Sequence, residues 1–88
     1  MSITAIFISD PFKQELRIDC DMLKLNSIKD GEICILKDFN NSIFEIKDTI
    51  VYAMSEEKIK KQIKIFNTGV VKFNDNIFTC FGEFEEIS

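Results

Sequence analysis

Histidine does not occur in this 88-residue chain. Its absence excludes a Cys₂His₂ zinc site and every acid–base scheme that relies on an imidazole. A nucleophilic cysteine would also lack the histidine that usually serves as its base. Glycine is scarce: Gly31, Gly69 and Gly82 are too scattered to cradle a phosphate, and no Walker-type lysine motif accompanies them. No apolar run approaches the ~20 residues that cross a bilayer. The opening Met1-Ser2-Ile3-Thr4-Ala5 has neither a basic segment nor a long apolar stretch, so no signal peptide is expected. Internal repeats, low-complexity tracts and linkers are absent as well. The three cysteines, Cys20, Cys34 and Cys80, are an odd number in apolar settings. They read as reduced thiols serving as small core residues, since a disulfide framework would want more of them. These gaps lead to the expectation of no catalytic residue, no metal and no cofactor.

What is present suits one small packed domain. Hydrophobic residues make up 45% and aromatic residues 11%, nearly all of them phenylalanine, which argues against disorder. The formal net charge of −4 makes nucleic acid and anionic membrane surfaces poor partners. Paired carboxylates at Asp19/Asp21 read as a solvated strand face, and Glu56/Glu57 as a turn tip. Lys58, Lys60, Lys61 and Lys64 lack interleaved aromatics and read as a solvated basic cluster.

Short strands and turn signals dominate the pattern. Residues 3–8 are apolar on both faces, as in a buried strand, and Ser9-Asp10-Pro11 is a turn signal. Leu16, Ile18 and Cys20 alternate with Glu15, Arg17 and Asp19, the signature of a half-buried strand. Met22–Leu25 and residues 32–36 follow, separated by the turn residues 26–31. After a polar loop at 37–42, apolar runs recur at 43–46 and 50–53, with Lys47-Asp48 as a turn. Residues 59–66 fit helical spacing with Ser55 as N-cap, but also strand spacing; a strand over 61–66 is the expected form. Asn67-Thr68-Gly69 punctuates the next run, and Asn74-Asp75-Asn76 signals a hairpin. Such spacing predicts an all-β fold, a two-layer antiparallel β-sandwich of about 8–10 short strands. It would fill residues 1–84, with 85–88 as a short acidic tail.

Two segments point further. Gly31-Glu32-Ile33-Cys34-Ile35-Leu36 and Thr68-Gly69-Val70-Val71 resemble the Gly-Glu-φ-Gly-Ile-Leu and Gly-Gly-φ-Val strands (φ apolar) of the F-type ATP synthase epsilon chain, in its amino-terminal sandwich. The similarity runs over about residues 22–82. Cys34 replaces a glycine of that pattern, Asp48-Thr49 stand where Pro-Gly is common, and Lys37–Asn41 replace a loop that usually reads Pro-Gly-His-Ala-Pro. Most members continue into a helical hairpin; this chain stops near Ser88.

The resemblance implies a non-catalytic rotor subunit of the central stalk. It would couple rotation of a membrane ring of c subunits to the gamma chain, for ATP synthesis driven by a proton gradient. It would work peripherally, without membrane insertion, at the cytoplasmic face of a bacterial inner membrane. Glu32, Lys37, Asp38, Phe39, Asn40 and Asn41 would contact the ring, and Phe44 the gamma chain. Phe39 admits two readings in its polar loop: an aromatic folded back over the sandwich end, or a partner anchor. The alternative to the rotor role is a generic sandwich module that binds a peptide or a β edge.

Overall fold

The structure is a computed structural model that describes residues 2–9 and 14–87. Asp10, Pro11 and Ser88, which carry part of an expected turn and the end of the expected tail, lie outside the described residues. The chain is all-β, as expected, and is built from seven strands: β1 (Ile3–Ile8), β2 (Glu15–Cys20), β3 (Met22–Ser27), β4 (Gly31–Leu36), β5 (Ser42–Ser55), β6 (Lys58–Asn74) and β7 (Ile77–Glu86). They form one hydrogen-bonded sheet in the order β2-β1-β7-β6-β5-β3-β4. Every pairing is antiparallel except β1 with β7, which is parallel.

The count falls below 8–10 because two strands are long. β5 has 14 residues and β6 has 17. Each runs through what the sequence divides into two runs. The turn signals Lys47-Asp48 and Asn67-Thr68-Gly69 do not end strands; they break the register within them, between Lys47 and Thr49 and between Phe66 and Val70. Asp48 and Asn67 both take positive φ, at 43° and 59°. The Asp48 carboxylate accepts a hydrogen bond from the Asn67 backbone N–H at 2.8 Å, locking the two irregularities together. Such breaks bend a strand sharply, and here they fold the sheet over so that edge strand β2 meets β5. The backbones also approach closely at the same place: a Cβ on Gly82 would lie 3.2 Å from the Gly69 Cα.

Inside the fold lies one core, with Phe7, Phe73, Phe78, Leu23, Leu25, Ile35, Ile46, Ile63 and Ile65 fully buried. Phe7 meets Phe78 and Phe84 with ring centroids 5.8 and 5.9 Å apart, in the tilted arrangement aromatic pairs favour. The 56–66 ambiguity resolves as strand, since β6 begins at Lys58. The acidic end resolves differently from expectation. Glu85 and Glu86 belong to β7, opposite Lys64 and Ile63, and Lys61 forms an ion pair with Glu86. The lysines at 61 and 64 supply cross-strand counter-charges that the sequence, read linearly, assigned to a solvated cluster.

Candidate interaction surface

The loop at 37–41 is held by side chains rather than by ladder bonds. Asp38 takes a left-handed backbone angle, φ 66°. Its N–H donates to the Asn76 amide oxygen at 2.6 Å, while the Asn76 amide nitrogen donates back to the Asp38 carboxylate at 3.2 Å. The Asp75 N–H donates to the Asn41 amide oxygen at 3.3 Å. Phe39 is half-buried, with its ring edge-on to Phe73 at 5.9 Å and 83°. The folded-back reading therefore describes its position: it anchors the loop to the core. An open cavity of about 380 Å³ lies between this loop and the β6–β7 turn, lined by Asp38, Phe39, Asn40, Asn41, Asp75 and Asn76. Asp75 and Asn76 were legible as a hairpin but not as the clamp on this loop; only the fold brings residues so distant in sequence together.

Glu32 stands apart from this loop. It lies near the start of β4 and Lys37 follows the strand's end, a separation of five residues or about 16–17 Å along a strand. Its side chain is well exposed and faces Lys24 at 3.7 Å. Phe44 is half-buried against the core. Its neighbour Ile43, 72% exposed, is the one that faces out.

Ile43 belongs to a larger surface that the sequence concealed. Pairing registers set Glu45, Val70, Phe81, Ile8 and Glu15 in one row across the sheet. Ile43, Lys72, Thr79, Ile6 and Arg17 form the next, and Asn74, Ile77, Thr4 and Asp19 the third. On this outer face Val70, Phe81 and Ile77 are exposed apolar residues and Ile6 and Ile8 are half-buried, while the exposed Lys72 stands in the middle row between Ile43 and Thr79. Further charges (Glu45, Glu15, Arg17, Asp19) stand around them. An exposed apolar patch with charges in and around it is a feature of protein interfaces. Residues 3–8, apolar on both faces, suggested a fully buried strand; in β1 one face is buried and the other, with Ile6 and Ile8, is only half-buried among the described residues.

Reactive chemistry is sparse among the described residues. No group of three or more metal-ligating side chains occurs. Burial pushes the thiols of Cys20 up to about 11 and of Cys80 up to about 12, leaving them protonated and inert at neutral pH. Cys34 is exposed. The site is a set of surfaces, not a cleft.

These features define a small all-β domain with an apolar patch on its outer face and a clamped polar loop. Its fold is found in chains of solved rotary ATP synthases. A chain in the Euglena gracilis mitochondrial ATP synthase assembly (OSCP/F1/c-ring, rotational state 1) superposes with a TM-score of 0.77 at 17% identity, over 97% of this chain and 53% of that one. A chain in the central stalk/c-ring structure of the Tetrahymena thermophila mitochondrial ATP synthase gives 0.70 at 9% identity, over 100% and 67%. This chain thus spans about half the length of the Euglena chain. No family model and no curated protein matches the sequence.

Proposed function

We propose that this chain is a non-catalytic central-stalk subunit of a rotary ATP synthase, coupling rotation of the membrane ring to a gamma-type shaft chain. The observation that carries this reading is the sharing of the fold, over 97% of this chain, with a chain from a solved ATP synthase assembly. The epsilon-like strands at Gly31–Leu36 and Thr68–Val71 lend support from the sequence side. The comparison chains are mitochondrial; a bacterial membrane and a proton as the coupling ion rest on the sequence resemblance alone.

The outer face of β1, β7, β6 and β5 gives the shaft a place to bind. Val70, Phe81 and Ile77 form an apolar patch on it beside Lys72, with Ile43 across that lysine and Phe44 at the margin of the core. The loop Lys37–Asn41 is the ring-side contact, with Asp38, Asn40 and Asn41 presenting polar atoms and Phe39 fixing the loop's base. Glu32 makes a separate polar contact with the ring. A bent, tightly packed sheet between two partners passes force with little loss to deformation.

Co-purification with the gamma chain and the ring subunits tests the reading. The wild-type chain is expected to retain both. Val70→Lys should abolish retention of the gamma chain with an unchanged circular dichroism spectrum, and Glu32→Lys should weaken retention of the ring by about tenfold, equal to about 1.4 kcal/mol. Retention of an unrelated extended peptide in place of either subunit would establish the generic binding module instead.

A further inference from the structure

β4 ends the sheet, with β3 on one side and, among the described residues, no strand on the other. An edge strand presents unpaired N–H and C=O groups, and stable folds usually blunt it with lysine, proline or a bulge. The opposite edge is blunted in this way. β2 alternates Glu15, Arg17 and Asp19 along its outer face, and the Lys60 ammonium donates to the Asp19 carbonyl at 2.8 Å. β4 carries no such protection. Its six residues keep unbroken register with β3 and contain no proline, lysine or arginine. Its one charge, Glu32, is met by Lys24. Cys34 and Leu36 are exposed.

We propose that β4 pairs with the β4 strand of a second copy of this chain, antiparallel, across a two-fold axis through Cys34. In that register Cys34 opposes its own counterpart, Ile33 opposes the second copy's Ile35, and Glu32 opposes the second copy's Leu36. Ile33 and Ile35 lie on the core side of the strand, so the register joins core face to core face and extends one apolar layer through both copies. A one-residue slip would set Ile33 against Cys34 and mix the two faces. Moving the axis to Ile33 would bring Gly31, a poor strand former, into the paired stretch. With the axis at Cys34, the strand's only carboxylate never meets its copy, and Asp30 and Asp38 stay outside the pairing. The edge's single charge, Glu32, is already paired with Lys24, so a charged foreign strand gains little along it, whereas a second copy finds its own apolar pattern reversed. The contact is isologous, as two-fold dimers are. It stands independently of the stalk reading, since it rests on the composition of one edge.

Sedimentation of the purified chain from micromolar to near-millimolar concentration tests the proposal. A monomer–dimer equilibrium is expected, and a short bis-maleimide should join two copies through Cys34, the exposed thiol. Cys34→Ser should form the dimer but no cross-link. Cys34→Lys, which sets two ammonium groups face to face on an exposed edge, should weaken association by about tenfold or more while leaving the circular dichroism spectrum unchanged. Arg17→Ala on the opposite edge should leave association unchanged. A folded wild-type chain that stays monomeric throughout the range, or a dimer as stable in Cys34→Lys as in wild type, overturns the proposal.

Discussion

The two glutamates at the β5–β6 turn occupy an unusual backbone. Glu56 and Glu57 both take positive φ, 54° and 65°, in a two-residue hairpin closed by Ser55 and Lys58. That is the primed turn which Asn-Gly fills without strain and which a longer side chain enters at a cost. Replacing Glu56-Glu57 by Asn-Gly is expected to stabilise the domain by about 1 kcal/mol, read as a higher urea midpoint at unchanged slope. The equivalent turn between β6 and β7 already has Asp75 and Asn76 at φ 50° and 63°, so Asn76→Ala should destabilise, and should also free the 37–41 loop from its clamp. The thiols give a pH signature. Cys20 and Cys80 are raised from 9.0 to about 11 and about 12 by burial. The folded state therefore holds their protons more tightly than the unfolded chain, so stability from this source is complete below pH 9 and declines as pH rises toward 11–12. Denaturant midpoints measured across that window should fall, and less steeply in a Cys80→Ala variant.

At the scale of elements, the bends in β5 and β6 carry the architecture. Asp48→Ala removes the acceptor that receives the Asn67 N–H and places alanine at positive φ. It should cost about 1–3 kcal/mol, while Asp48→Asn, which keeps the acceptor and tolerates the angle, should cost far less; thermal melting of both variants decides the comparison. The same bends explain which parts of the fold the sequence disclosed. Alternation in β2, the Asn74–Asn76 turn and the apolar runs marked the strands and the all-β class. Lys47-Asp48 and Asn67-Thr68-Gly69 carried honest turn chemistry, but local sequence does not distinguish a chain reversal from a bend inside a ladder. The candidate site was legible in part. The polar loop at 37–41 drew notice through Phe39, whose destination against Phe73 depends on a strand more than thirty residues away. The apolar patch on the outer face went unseen, because residues in β1 are apolar on both sides and only the assembled sheet distinguishes the buried side from the half-buried one.

For the molecule as a whole, stability rests on one core with little redundancy. Phe78 is fully buried and packs against Phe7. Phe78→Ala is expected to cost about 3–5 kcal/mol, a large part of what a domain of this size possesses. The variant should unfold at markedly lower urea concentration, and retention of near wild-type stability would mean that the core repacks around the void. The parallel seam between β1 and β7 has a different effect, on the order of events during synthesis. Ile3–Ile8 leaves the ribosome first, and Ile77–Glu86 leaves it last of the seven strands. Until then Phe7 has no Phe78 or Phe84 to rest against. The apolar strand β1 must wait until β7 has been translated, and that interval is when chaperones and proteases would find it.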